Sequence, residues 1–474
     1  MERHANHLNG EWVYGPGRIP VVNPATGEVL IEVAAADRQM VRKALADAEA
    51  AFPAWSELPA KTRGDFLLAI ANDLTARGDE LARMITLENG KPLAQSRGEV
   101  AMTVDHLRWF AEEGRRAYGR WVPNQVGGKR HLVLRTPIGV VGAIAPWNFP
   151  LVLPMRKVAP ALAAGCPVVL KPASATPTCA VEFARCVEAA GIPKGVFQLV
   201  MGNASKIASE MLENPACRKI SFTGSSAVGK LLIAGASKTC TKLSLELGGN
   251  APLIVFADAD FNLAIEGALI AKFRNTGQSC VAANRIYVER PVYARFLEVF
   301  VQKTIALKVG NGLEPGVDIG PLINAQGLET AQRLIQDAVS SGARLLCGGK
   351  RWGQQGFFME PTVLADVPDG AACMHEEIFA PLAAVSAFDT EEEVVRKANA
   401  TEYGLAAYAF TRDLSRGLRM AETLQAGSIG LNDAVPATSN CPFGGFKQSG
   451  WGRELGSEGL DAYLETKHVS IAGI

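Results

Sequence analysis

Three side chains in this chain can cooperate on a carbonyl group: the thiol of Cys280, the carboxylate of Glu246 and the side-chain amide of Asn148. Cys280 closes the segment Gly277-Gln278-Ser279-Cys280, and Glu246 lies shortly upstream in Leu245-Glu246-Leu247-Gly248-Gly249-Asn250. A thiol attacks a carbonyl carbon as its thiolate. A carboxylate within reach accepts a proton from that thiol or from a water. Asn148, in Ala145-Pro146-Trp147-Asn148-Phe149-Pro150, offers an N–H to an oxygen gaining negative charge. By itself this last segment reads first as a polar turn between two prolines. Glycines beside the thiol and the carboxylate let backbone approach a ligand closely.

Other segments carry ligand-binding chemistry, each with a plainer reading beside it. Lys171, in Leu170-Lys171-Pro172-Ala173-Ser174, can bond a ribose hydroxyl or a phosphate, or is an ordinary exposed lysine. Phe222-Thr223-Gly224-Ser225 follows a strand-like run and opens a helix, whose free N–H groups attract phosphate. The spacing from Gly224 to Gly229-Lys230 imitates a P-loop, but Leu231 follows where a hydroxyl would hold magnesium, which excludes a nucleotide triphosphatase. No Gly-x-Gly-x-x-Gly occurs. Glu377, in Glu376-Glu377-Ile378-Phe379-Ala380-Pro381, can grip a ribose or belong to a solvated acidic pair. Arg156 and Arg274 stand near the reactive segments, and guanidinium forks suit carboxylates; most arginines instead make surface ion pairs.

These residues need elements to hold them. After a short irregular start, Asp37 is expected to cap a helix carrying Met40, Val41, Ala44, Leu45 and Ala48 on one face. Helical patterns follow at about 61–76 and 95–117. From 138 strands alternate with helices: strands at 140–145, 167–170, 196–200, 219–222 and 242–245, helices at about 154–164, 176–190, 204–213 and 226–237. That rhythm predicts a parallel sheet covered on both faces, and ligands collect at the carboxyl ends of such strands. A second alternation runs from Pro252 to about 447, with strands at 252–256, 285–288, 362–364, 382–388, 406–410 and 428–431. Two further extended pieces, 129–135 and 463–471, can pair with one another or with another subunit.

The whole-chain numbers narrow the classes. The 474 residues are 48% hydrophobic and 20% charged, which suits two or three packed domains. Lys+Arg and Asp+Glu are both 48, a balance with no nucleic-acid or membrane-surface footprint. No apolar run reaches the ~18 residues of a membrane span, and Met1–Trp12 is too polar for a signal peptide. Nine cysteines without a Cys-x-x-Cys, and six histidines that do not cluster near them, argue against a metal site and against a secreted disulfide framework. A cytoplasmic location is expected.

In this order the motifs resemble the NAD(P)-dependent aldehyde dehydrogenase superfamily over essentially the whole chain. Seven carry the resemblance: Pro146-Trp147-Asn148-Phe149-Pro150, Lys171-Pro172-Ala173, Phe222-Thr223-Gly224-Ser225, Glu246-Leu247-Gly248-Gly249, Gly277-Gln278-Ser279-Cys280, Glu377-Ile378-Phe379-Ala380-Pro381 and Pro442-Phe443-Gly444-Gly445. The resemblance implies an α/β fold with two parallel-sheet domains plus a small β oligomerisation extension. A cofactor-binding domain is expected over 1–128 and 140–248, a catalytic domain over 249–447, and an oligomerisation segment over 129–139 and 448–474. It implies that Cys280 forms a thiohemiacetal and then a thioester, that Asn148 and the Cys280 N–H hold the oxyanion, and that Glu246 activates the hydrolytic water. Trp147, Lys171, Ser174, Gly224, Ser225, Leu247, Glu377 and Phe379 match cofactor positions. Homodimers or homotetramers are expected from the same source.

Within the superfamily the stretches 155–166 and 272–285 are similar to those of succinate-semialdehyde dehydrogenases, in which arginines at the positions of Arg156 and Arg274 bind the distal carboxylate. Where relatives often place a serine to help, this chain has Ala437, and Thr438 or Ser439 is expected to substitute. Ala282 stands where some relatives carry a second cysteine, so no disulfide switch is expected. NAD-preferring members often have Glu where Ser174 stands; with Lys171 beside it, dual cofactor use with a lean to NADP is expected. Ala437 keeps 2-oxoglutarate semialdehyde, glutarate semialdehyde and a broad aliphatic range open as alternatives. Transfer of the thioester to coenzyme A, or a non-enzymatic scaffold, would be signalled by loss of Glu246 or Cys280, and both are present.

Overall fold

Five strands, Val140–Ile144, Val168–Lys171, Phe197–Leu199, Cys217–Thr223 and Lys242–Glu246, form the parallel centre of an eight-stranded sheet. Val140–Ile144 is buried along its whole length, as a strand covered on both faces by helices must be. The computed structural model describes residues 3–473. Met1, Glu2 and Ile474, the outermost residues of the expected cofactor-binding and oligomerisation segments, lie outside the described residues. The connecting helices are Val152–Ala164, Thr178–Ala189, Ala204–Glu213 and Ser226–Ala236.

The start of the chain differs from expectation. Instead of irregular coil, five short strands lie between Arg3 and Ala35. Asn6–Leu8 and Glu11–Val13 add an antiparallel edge to the first sheet, and Gly450–Trp451 adds another beyond Lys242–Glu246. These strands are too short to show a period of two, and their partners are distant: Asn6 accepts from the Met201 N–H at 2.7 Å. The helical layer follows the apolar pattern more closely. Asp37 caps Arg38–Glu57 by accepting from the Met40 N–H at 2.9 Å, and Val41, Ala44, Leu45 and Ala48 are buried. Ala60–Ala76 and Leu93–Glu113 are helices, with an unanticipated one, Gly78–Asn89, between them.

The second sheet has six parallel strands, Ala251–Val255, Ala283–Glu289, Thr362–Ala365, Leu382–Phe388, Ala406–Phe410 and Ser428–Leu431, with Arg344–Cys347 antiparallel at one edge. A third sheet joins Leu464–Ala472 to Lys129–Pro137 in antiparallel register along all nine residues of each, with Arg120–Val122 on the far side. The two extended pieces therefore pair within one chain. Among the described residues no helix is long and apolar enough to cross a membrane.

Candidate active site

Four of the candidate segments leave the carboxyl ends of the central parallel strands. Trp147 and Asn148 follow Val140–Ile144, Ser174 follows Val168–Lys171, Gly224 and Ser225 follow Cys217–Thr223, and Leu247 follows Lys242–Glu246. Lys171 and Glu246 are themselves the last residues of their strands. Cys280 and Glu377 come from turns in front of strands of the second sheet. Trp147, Asn148, Gly224, Ser225, Leu247, Cys280, Glu377 and Phe379 all line one cavity of about 230 Å³.

At its floor Cys280 Sγ stands 4.0 Å from Glu246 Oε1, the outer limit of a sulfur hydrogen bond. Gly249 makes that approach possible: a Cβ there would lie 2.3 Å from the Cys280 carbonyl oxygen. Burial first, then the Glu246 and Glu377 carboxylates, push the Cys280 thiol well above its ordinary pKa, with Arg156 opposing. Burial, then Glu454, pushes the Glu246 carboxyl up to about 8; Arg156 and Lys157 pull the other way. Glu246 Oε2 is buried with no hydrogen-bond partner among the described residues. Lys157, also buried, donates to Thr223 Oγ1 at 2.6 Å and to Glu454.

The loop that presents the thiol is conformationally costly. Asn275, Thr276 and Gly277 have φ of +52°, +58° and +73°. Left-handed backbone costs a side-chain-bearing residue ~1–2 kcal/mol, and a β-branched threonine rarely adopts it. Hydrogen bonds worth ~0.5–1.5 kcal/mol each offset this. The Asn275 N–H donates to Gln95 Oε1 (2.7 Å), and Asn275 Nδ2 donates to the carbonyls of Asn148 (2.8 Å) and Gln278 (3.0 Å). Gln278 Nε2 donates to the Pro321 carbonyl (3.2 Å), while its Oε1 accepts from the Ile323 N–H (2.9 Å). Asn148 Nδ2 donates to the Gln278 carbonyl at 3.2 Å, so the candidate oxyanion donor is tied to the nucleophile's own loop.

Sequence reasoning missed Lys91, Glu99, Asn275 and Gln278 as part of this site. The available signal was the turn Glu88-Asn89-Gly90-Lys91-Pro92 between helical stretches, polar in type yet buried in fact. Gly90 has φ +91°, and a Cβ there would lie 2.5 Å from Pro321.

A second, much narrower cavity of about 40 Å³ is lined by Arg274, Ser279, Tyr408, Ala437 and Phe443 among others. Arg274 lies over the Phe149 ring (5.6 Å to its centroid), and Arg156, on helix Val152–Ala164, lies over the Phe443 ring (4.7 Å). Burial lowers the Arg274 pKa. Arg156 Nε is buried without a partner among the described residues. Ala437 lines this cavity; Ser439 is buried, and its carbonyl accepts from the Gly456 N–H at 2.9 Å, outside the set of lining residues.

The first cavity suits a dinucleotide. Helix Ser226–Ala236 opens onto it, capped by Ser225 Oγ accepting from the Val228 N–H at 3.4 Å, which leaves other first-turn N–H groups for an anion. Phe379 meets Trp147 edge-on at 5.7 Å. Glu377 accepts from the Gly249 N–H at 3.0 Å, and burial raises its carboxyl to about 7. Lys171 and Ser174 lie outside that lining: Lys171 is buried, which lowers its ammonium to about 8, and Ser174 Oγ is 3.5 Å from the Gly202 carbonyl.

A thiol with a carboxylate behind it, beside a nucleotide-type cleft between two parallel sheets, supplies the parts that covalent carbonyl chemistry with a redox cofactor requires. The sequence model of the aldehyde dehydrogenase family matches residues 12–469, and the chain belongs to that family of NAD(P)-dependent enzymes. It is 46% identical over 474 residues to a glutarate-semialdehyde dehydrogenase of Pseudomonas aeruginosa, covering 100% of this chain and 98% of that one. It is 47% identical over 466 residues to the NADP(+) succinate-semialdehyde dehydrogenase of Escherichia coli, covering 98% and 97%. The crystal structure of an E. coli NADP-dependent enzyme, 47% identical, superposes with a TM-score of 0.98 over 99% of this chain and 98% of that chain.

Proposed function

We propose that this chain oxidises a short semialdehyde bearing a distal carboxylate, succinate semialdehyde first, to the dicarboxylic acid. The observation that carries the substrate reading is the Arg156–Arg274 pair beside the thiol: the cavity lined by Arg274 and Phe443 joins the Cys280 loop at Ser279, and Arg156 packs on Phe443 with a donor still unpaired. Unneutralised guanidinium forks are positioned to take a carboxylate bidentately. Relatives acting on succinate and glutarate semialdehydes support the same class. Ala437 in the cavity lining, in place of a hydroxyl, favours a second reading in which the longer glutarate or 2-oxoglutarate semialdehyde is accepted.

In the reaction the Cys280 thiol gives its proton to solvent water and its sulfur bonds to the aldehyde carbon, whose oxygen takes the negative charge. Asn148 Nδ2, aimed by the Gln278 carbonyl, and the Cys280 N–H donate to the oxyanion. A nicotinamide dinucleotide held in the first cavity would supply the hydride acceptor for that carbon. Glu246 as carboxylate then takes a proton from water, which cleaves the Cys280 thioester and frees the acid. Trp147, Gly224, Ser225, Leu247, Glu377 and Phe379 would hold the dinucleotide, with Lys171 and Ser174 toward its adenosine ribose. No carboxylate contributes to the Lys171 shift, which favours a 2′-phosphate and hence NADP alongside NAD.

We also propose that residues 1–128 with 140–248 bind the cofactor, that 249–447 carry the catalytic loop, and that 129–139 with 448–474 mediate homodimers or homotetramers through the free edge of strand Leu464–Ala472; two pieces cross those bounds, Arg120–Val122 joining the third sheet and Gly450–Trp451 the first. The test of the substrate reading is kcat/KM for succinate semialdehyde, glutarate semialdehyde and a neutral aldehyde of equal length, each with NAD and NADP. A neutral aldehyde turned over as well as the acidic ones would overturn it. Light scattering tests the assembly.

A further inference from the structure

Lys91 and Glu99 are both 1% exposed, and their side chains pair at 2.7 Å. Such a pair is an expensive way to gain stability. Each ion loses several kcal/mol of hydration, and replacing buried pairs by apolar residues is often neutral or favourable. Its remaining contacts all lead to the site. Lys91 Nζ donates to the main-chain carbonyl of Asn148 at 2.6 Å and lies 4.0 Å from the Phe149 ring centroid. That same carbonyl accepts from Asn275 Nδ2, whose other bond goes to the Gln278 carbonyl, which in turn receives Asn148 Nδ2. The bonds form a closed ring with Lys91 as its outer anchor. The other oxygen of Glu99 accepts from the N–H groups of Leu151 (2.9 Å) and Val152 (3.2 Å), at the start of the helix that carries Arg156. Next to this pair, Asn89 Nδ2 donates to the Trp147 carbonyl at 3.0 Å.

We infer that Lys91, with Glu99 behind it, is a positioning residue for the reaction: its ammonium fixes the Asn148 peptide so that the Asn148 amide meets the oxyanion formed at Cys280. Neither residue lines the two cavities described above. Lys91 therefore acts through Asn148, and the inference rests on the oxyanion role proposed for Asn148.

The experiment is a double-mutant cycle of Lys91→Met with Asn148→Ala, read as kcat for the semialdehyde and as the Kd of NADP. Misplacing a transition-state donor costs on the order of 10²-fold. Lys91→Met should lower kcat by about that factor with the NADP Kd unchanged, and should add little once Asn148 is already alanine. An undiminished kcat, or the same fold-loss in both backgrounds, would overturn the inference. If Lys91→Met does not fold, Lys91→Met/Glu99→Gln leaves no buried charge unpaired and carries the same cycle. Failure of the underlying reading looks different: Asn148→Ala alone would then run at full rate while Cys280→Ser remained inactive.

Discussion

Two buried polar regions adjoin the same thiol and are built on opposite rules. In the loop Asn275–Gln278 the donor nitrogens of both amide side chains, and of Lys91 behind them, are engaged by named acceptors, while the amide oxygens of Asn275 and Asn148 are buried without a partner among the described residues. Where the substrate is proposed to bind, Arg156 Nε and Glu246 Oε2 are buried and have no partner among the described residues. An unmet buried polar group costs ~1–3 kcal/mol, so it persists where a ligand or water completes it. The first region has its donors engaged in fixing the loop; the second keeps a guanidinium donor and a carboxylate oxygen open.

Substitutions can break or sharpen this contrast. The largest effect belongs to the thiol shared by both regions. Cys280→Ser should cut reduced-cofactor formation by ~10⁴-fold or more, by analogy with loss of other covalent nucleophiles, while cofactor affinity measured by fluorescence titration stays put. Next comes Glu246→Gln, which should leave a first turnover intact and slow hydrolysis by ~10²–10⁴-fold. Mass spectrometry of the quenched protein should then show the acyl group retained on the chain.

The unpaired arginines give a more selective signature. Arg274→Ala should raise KM for the acidic semialdehyde by roughly 10–100-fold, the worth of lost charge-assisted bonds, and barely change it for a neutral aldehyde. Equal losses on both would erase the distinction drawn above. The smallest effect is a shift in a pH profile. Burial raises the Glu246 carboxyl to about 8, so the carboxylate needed as base is depleted below that pH and gains as pH rises through it. Where hydrolysis limits turnover, kcat should rise over that interval. Glu454→Gln removes a charge that pushes the Glu246 pKa up, so the rise should move to lower pH.

The same contrast explains what could be read without coordinates. Cys280 and Glu246 stand out as a nucleophile and a base in short glycine-containing segments, whereas Asn148, Lys171 and Glu377 each have a plainer reading as a turn or surface residue and gain an expected role only from seven motifs in register. The parallel strands from Val140 to Glu246 were legible because their apolar runs are continuous and punctuated by turns. Lys91 and Glu99 were not, because their meaning lies in contacts 57 and 52 residues away along the chain. Asn6 was hidden likewise by a partner 195 residues distant. Helix Gly78–Asn89 follows its predecessor across only Arg77, too short a break to mark a boundary from pattern alone.

The Leu464–Ala472 strand carries one more consequence. Its register partners, Lys129–Pro137, are synthesised more than three hundred residues earlier, and Tyr463 adds a carbonyl for the Ile138 N–H at 3.0 Å. The early strand must wait, with one edge open, until residues 464–472 have been made. Contacts so remote in sequence close slowly, and an open edge invites wrong partners meanwhile. A chain synthesised only as far as residue 463 thus cannot close this sheet, and its early strand stays exposed to wrong partners until then.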